Sequence, residues 1–260
     1  MKLSYTALKT FQECPFRFSL RYHRGLASRP RPPMRLSRAL HGALKLFHED
    51  LRQRRNGKGD LALISAPLDS LLSHFTRFYE NPTHPLTEAQ CQEGKALLTR
   101  YWEAHEGKFP MPYLLEEPFS LHVGPFLLTG HFDRVDRTPE GYEILDYKLS
   151  QKKPFPPDPL QLDVYQLGFH AKTGEVAKKL SFYYLRLGQK ESVEKDDPEA
   201  ARARVRALCR DISREQEFRP HEGAWCASCD FWEFCPAKAK SPKPLPAGGR
   251  ARQLGFDFGQ

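Results

Sequence analysis

Two aspartates and a lysine carry the most direct chemical signal. Asp146 and Lys148 lie two residues apart in Tyr142-Glu143-Ile144-Leu145-Asp146-Tyr147-Lys148, and Asp133 lies upstream in Gly130-His131-Phe132-Asp133-Arg134-Val135-Asp136. Both runs carry β-branched and aromatic residues, and Arg137-Thr138-Pro139-Glu140-Gly141 between them holds the turn formers Pro and Gly. That predicts two neighbouring strands. Residues two apart on a strand share a face, so Asp146 and Lys148 point the same way and Asp133 can stand beside Asp146. Two carboxylates crowded on one face repel unless a cation joins them. A divalent ion would do so, leaving Lys148 to meet an anion or a nucleophilic water. An isolated Asp-x-Lys also serves as an ordinary solvated ion pair, so the pattern gains meaning from its surroundings.

Cysteines give a second signal. Cys226-x2-Cys229-x5-Cys235-Pro236 brings three thiols within ten residues. In a cytosolic chain such spacing points to metal rather than to disulfides. Zinc and iron–sulfur clusters are both candidates, and each takes four protein ligands. No histidine follows at finger-like spacing; Cys14, which also precedes a proline, is the attractive remote fourth ligand. Trp225, Phe231, Trp232 and Phe234 would wrap such a site in apolar surface. Cys91 and Cys209 sit in helical patterns and are read as packing residues.

The elements that must position these groups follow from periodicity. Residues 4–22 read as a helix capped by Ser4 and interrupted at Pro15. Arg29-Pro30-Arg31-Pro32-Pro33 is a stiff linker. A helix over 34–54 buries Leu36, Leu40, Leu44, Phe47 and Leu51, with His41 at the edge of that stripe. His41 there is either a partly buried core histidine or a group reaching toward a metal. Amphipathic helices over 68–79 and 88–102 form a helical insert at about 55–113, ahead of a sheet that begins near Leu114. A hairpin over 116–129 turns at Gly124 and leads into the Asp133 strand. Residues 160–171 are helical, with Gln161 and Tyr165 one turn apart on one face. Strands follow at 181–187 and 191–194, then a helix over 198–216. That helix carries Arg202, Arg206, Arg210 and Arg214, a stripe suited either to phosphates or to pairing with Glu199, Asp211 and Glu215.

Composition sets the class. The chain has 260 residues and a net charge of +8, enough for one large or two small domains with a sizeable core. No apolar run is long enough to span a membrane and the N-terminus lacks an apolar signal core, so a cytoplasmic protein with no membrane association is expected. Basic charge clusters at both ends. Lys2, Lys9, Arg17, Arg21, Arg24, Arg29, Arg31 and Arg35 face only Glu13, and Lys238, Lys240, Lys243, Arg250 and Arg252 stand in an acid-free stretch. Such ends suit a polyanion, most simply nucleic acid.

Taken in order, these residues resemble the RecB/AddB-type branch of the PD-(D/E)XK nuclease superfamily, in its standalone iron–sulfur-containing form. The resemblance implies an α/β, restriction-endonuclease-like core, a central mixed β-sheet flanked by helices, with a helical insert and an iron–sulfur clasp. It implies a nuclease domain over 1–236 and a flexible basic tail over 237–260. His41, Asp133, Asp146 and the Tyr147 carbonyl would hold Mg²⁺ or Mn²⁺, and Lys148 would be the catalytic lysine. Gln161-x-x-x-Tyr165 resembles the motif that positions DNA and the active centre. Cys14, Cys226, Cys229 and Cys235 resemble the split four-cysteine 4Fe–4S site.

The implied activity is a metal-dependent DNA nuclease, an exonuclease preferring single strands, in repair or recombination. A CRISPR-adaptation-type iron–sulfur nuclease and a non-catalytic DNA-binding module on the same fold are the alternatives. RecB and AddB proteins carry long helicase-like regions, whereas this sequence has no G-x-x-x-x-G-K-[ST] phosphate loop. A separate helicase is therefore an expected partner. Near the end, Gln253-Leu254-x-Phe256-x-Phe258 resembles the short peptide that docks bacterial repair proteins on the sliding clamp, and the basic linker before it suits a tethered peptide.

Overall fold

The computed structural model describes residues 1–28, 32–54, 63–79, 85–151, 158–194 and 197–245. The chain divides between two compact units. One comprises Met1–Pro30, Leu121–Thr129 and Arg202–Gln260, the other Arg31–Ser120 and Gly130–Ala201.

In the first unit, strand β1 (Lys2–Leu3) pairs in parallel with the start of β5 (Phe126–Thr138), Lys2 opposite Leu127 and Leu3 opposite Leu128. Ser4 caps helix α1 (Tyr5–Glu13), its hydroxyl accepting the Ala7 N–H. The helical span over 4–22, with its interruption at Pro15, breaks at Cys14. Pro15 lacks an N–H and fits only the first turn of a helix, so it opens a new one, α2 (Pro15–Phe18), followed by a π turn over Ser19–His23. Phe18 is fully buried with the rings of Phe11 and Tyr22 at 5.3 and 5.0 Å. Past the last cysteine, Lys238 pairs with Glu222 and Lys243 with Glu233. The clamp-like Gln253–Phe258 segment lies outside the described residues.

The second unit holds the sheet and its covering helices. Helix α3 (Pro32–Gln53) is followed by β2 (Leu63–Ile64), α4 (Leu68–Tyr79), α5 (Glu88–His105), β3 (Phe109–Pro110) and β4 (Pro112–Val123). Then come β5, β6 (Gly141–Lys148), α6 (Pro159–Thr173), β7 (Ala177–Tyr184) and β8 (Gln189–Glu194), while α7 (Pro198–Arg214) lies from Arg202 on in the first unit. Strand β5 runs unbroken where the sequence suggested two pieces. It pairs antiparallel with β6, β6 pairs parallel with β7, and β7 pairs antiparallel with β8. β2 and β3 form a separate antiparallel pair.

Alternation on β6 sorts its side chains. Leu145 and Tyr147, with Tyr183 of β7, share one core with Leu36, Leu40, Leu44, Phe47 and Leu51 of α3 and with buried residues of α4 and α5. Each fully buried Leu or Phe there contributes about 1.5–3 kcal/mol. Helices α4 and α5 thus cover this face of the sheet. Tyr142 and Phe132 turn the other way and meet Phe169 of α6 at 5.2 and 6.2 Å between ring centroids. Gly130 allows a close approach on this side: a Cβ there would fall 2.4 Å from the Phe119 ring.

Candidate active site

The second unit brings together every metal-side and catalytic residue singled out from the sequence. His41 comes from α3, Asp133 from β5, Asp146, Tyr147 and Lys148 from β6, and Gln161 and Tyr165 from α6. The β5–β6 ladder pairs Arg134 with Leu145. Just beyond it, the Asp133 carboxylate takes the Tyr147 N–H at 2.8 Å. His41 Nδ1 lies 3.3 Å from Asp133 Oδ2 and 4.0 Å from Glu116 Oε1, and its Nε2 lies 3.0 Å from the Tyr147 carbonyl oxygen. The ligand atoms of His41, Glu116 and Asp133 all fall within 4.8 Å of one another.

Glu116 went unnoticed in the sequence, where Glu116-Glu117 reads as an ordinary strand start. Its backbone has φ 43°, left-handed for a residue with a Cβ. Such strain persists where surrounding structure enforces it. An acidic residue on the strand preceding Asp133 was the available signal; the backbone that aims it at His41 leaves none.

The electrostatics describe a site that seeks positive charge. Burial alone would lower the His41 pKa, but the charge and hydrogen bond of Asp133, with Asp146 and Glu116 behind, raise it to about 9. Burial and the neighbouring Asp133 push Glu116 up to about 7. Asp133 is also raised by burial, yet His41 and the Tyr147 N–H draw it below the usual carboxylate range. The His41 proton thus occupies ground between carboxylates and a carbonyl, hard oxygen ligands of the kind Mg²⁺ and Mn²⁺ take.

Beside it lies a second cluster. Lys148 Nζ is 2.5 Å from Asp146 Oδ2, and it donates to Gln161 Oε1 at 3.1 Å. Gln161 Nε2 donates to Asp146 Oδ1 at 3.2 Å, and Tyr165 donates a short hydrogen bond to the same oxygen. The i, i+4 spacing of Gln161 and Tyr165 sets both side chains on one buried carboxylate. Burial raises Asp146, Lys148 opposing and Asp133 adding to the rise. Beyond the Lys148 ammonium, the buried Asp146 Oδ2 has no hydrogen-bond partner among the described residues. The His41, Glu116 and Asp133 group fits a divalent cation, and the Asp146 charge acts on His41 from beside it.

Under this site runs a buried network. Arg134 donates to Asp136 Oδ2 from Nε at 3.0 Å, and its Nη1 lies 2.8 Å from His48 Nε2 and from the Tyr101 hydroxyl and 2.6 Å from that of Tyr147. Tyr147 therefore has its backbone in the site and its hydroxyl in the network.

Residues 2–236 match the PD-(D/E)XK nuclease superfamily. The chain belongs to that superfamily. It is 32% identical over 183 residues to the AddB-type chain of the ATP-dependent helicase/deoxyribonuclease of Moorella thermoacetica, covering 58% of this chain and 16% of that protein. It thus spans about a sixth of the length of that relative. A crystal structure of an Eubacterium rectale protein described as a candidate exonuclease superposes with a TM-score of 0.50, at 12% identity, over 94% of this chain and 91% of the other. That likeness speaks for the fold, a central mixed sheet flanked by helices.

In this PD-(D/E)XK chain the four expected cluster cysteines share the first unit. Cys14, Cys226, Cys229 and Cys235 line one small cavity with Phe16, Phe231 and Trp232. The His221 and Arg17 N–H groups point at Cys14 Sγ at 3.4 and 3.5 Å, and the Gly223 N–H at Cys226 Sγ at 3.5 Å. Burial raises the Cys229 thiol, the Phe231 N–H and Arg17 opposing, Cys14 and Cys235 adding. All-sulfur donor sets with N–H groups beside them are the chemistry that zinc and iron–sulfur clusters take. Among the described residues, no helix is long and apolar enough to cross a membrane.

Proposed function

We propose that this chain is a metal-dependent DNA nuclease that hydrolyses phosphodiester bonds. The observation that carries this reading is the convergence of His41, Glu116 and Asp133 within 4.8 Å, beside the Asp146–Lys148 pair, in a chain of the nuclease superfamily. His41, Glu116, Asp133, Asp146 and the Tyr147 carbonyl are the groups to hold Mg²⁺ or Mn²⁺. When bound, the ion polarises the phosphate and lowers the pKa of an attacking water. Asp146 and Gln161 hold the Lys148 ammonium in place, so it can orient that water and stabilise charge growing on the phosphate. Tyr165 fixes the Asp146 carboxylate through its other oxygen.

The finer reading is an exonuclease that prefers single strands and acts in DNA repair or recombination. The Moorella relative, described as part of a helicase/deoxyribonuclease, supports a nucleic-acid substrate and a separate helicase partner. Cys14, Cys226, Cys229 and Cys235 are proposed to hold a 4Fe–4S cluster with a structural role, and Gln253–Phe258 to dock on the sliding clamp. The test is a cleavage assay on end-labelled linear and circular DNA, single- and double-stranded, with Mg²⁺, Mn²⁺ or EDTA. Metal-dependent release of short products from linear single strands is expected. No cleavage under any metal would overturn the reading in favour of a DNA-binding module.

A further inference from the structure

A cleft of about 590 Å³ opens in the second unit, away from the groups described above. Its walls include Glu49, Arg52, Met111, Tyr113 and Arg137. That size accommodates a nucleotide. Arg52 and Arg137 bring two guanidinium groups, and Lys45, 3.8 Å from Glu49, offsets that carboxylate. Tyr113 is 41% exposed, and its hidden side rests on Tyr142 at 5.0 Å. Tyr142 in turn rests on buried Phe169. This is an open aromatic ring on a rigid support between cationic groups.

The elements that build the cleft are the ones that build the metal centre. On α3, His41 and Arg52 lie eleven residues apart and point to nearly the same side, about 16 Å along the axis. On β5, Asp133 and Arg137 lie four residues, about 13 Å, apart along the strand. On β4, Tyr113 precedes Glu116 by about 10 Å. Each of three elements thus carries one residue at the metal centre and one at the cleft.

We infer that this cleft is a second subsite for the substrate strand, taking a nucleotide a few positions from the scissile bond. Arg52 and Arg137 bind its phosphates and Tyr113 stacks on its base. Arginine with an aromatic platform is the chemistry by which proteins hold single strands without reading sequence. At about 3.4 Å per stacked nucleotide, the separation corresponds to about three to five nucleotides. The inference rests on the nuclease reading and specifies how that site would grip a strand rather than a mononucleotide.

The test is fluorescence anisotropy with thymidine oligonucleotides of two to twelve residues in EDTA. Affinity should step up at least tenfold once the strand reaches the cleft. R52Q/R137Q and Tyr113→Ala should lose that step and leave affinity for the shortest oligonucleotide unchanged, while Tyr113→Phe keeps it. In R52Q/R137Q the slope of log affinity against log salt should fall by about 1.4, two phosphates at about 0.7 each. With Mn²⁺, hydrolysis of the p-nitrophenyl ester of thymidine 5′-phosphate should be the same in all variants. A parent with no length step, or variants that retain it, would overturn the subsite, as would a loss of ester hydrolysis as large as the loss on oligonucleotides. If neither ester nor DNA is ever cleaved but the cleft-dependent step is present, the nuclease reading fails and the subsite stands.

Discussion

Replacing Glu116 should stabilise the metal-free protein, and by an amount that depends on pH. Its carboxyl is held up to about 7 from an ordinary 4.5, by burial and by Asp133. The folded state therefore binds this proton more tightly than the unfolded state does. Stability falls as pH rises through the interval from 4.5 to about 7, and the loss is complete above it. Two and a half pH units correspond to about 3 kcal/mol. Glu116→Gln removes the charge, so its gain should be under about 1 kcal/mol at pH 5 and about 3 kcal/mol at pH 8. Glu116→Gly also relieves the left-handed backbone at φ 43° and should add about 1 kcal/mol at both pH values. The assay is thermal unfolding in EDTA, where about 3 kcal/mol in a chain of this size shifts the midpoint by roughly 10 °C. Adding Mn²⁺ should narrow or reverse the difference, since a ligand at about a hundred times its dissociation constant stabilises the parent by about 2.7 kcal/mol. A variant no more stable than the parent at pH 8, or a gain identical at pH 5 and pH 8, would refute the reasoning.

Other expectations concern the buried network and the cysteines. Burial and the Arg134 charge hold the His48 pKa well below 6.5, so the folded state binds fewer protons than the unfolded state below that value. Stability should fall as pH drops below about 6.5, by up to about 1.4 kcal/mol per unit, and His48→Gln should flatten that slope in urea titrations at successive pH values. Arg134→Met strands the Asp136 carboxylate in the core and should cost about 3–5 kcal/mol, with R134M/D136L recovering much of it; equal losses in the two variants would remove the ion pair from the account. Protein purified without oxygen should be brown with broad visible absorption, and Cys14→Ser should bleach it; colourless protein with stoichiometric zinc would replace the 4Fe–4S reading.

Strand parity made much of the site legible. Asp146 and Lys148 had to share a face because they are two residues apart, and the turn between the strands returned Asp133 to their neighbourhood. Helical spacing did the same for Gln161 and Tyr165, and His41 showed itself at the edge of an apolar stripe. Parity tells which face a residue takes and says nothing of depth. Arg134, one of forty basic residues by composition, gave no sign that it would be buried among His48, Tyr101 and Tyr147. Glu116 was invisible because its placement depends on a left-handed backbone at a residue that disfavours one. The break at Cys14 lay open in the sequence, since Pro15 could only begin a helix there. What the pattern could not give was that the cysteine itself, its Sγ accepting the Arg17 N–H, would become the cap.

On the proposed mechanism, Lys148, held by Asp146 and Gln161, stabilises the reaction at a metal centre that Asp146 helps to form. Single-turnover cleavage of a labelled single-stranded oligonucleotide with saturating Mn²⁺, parent against Lys148→Met, tests it most directly. Cleavage should fall at least about a hundredfold, as when one group stabilising a transition state is removed, while Mn²⁺ binding and the melting temperature are retained. Cleavage at the parent rate by Lys148→Met would contradict the account.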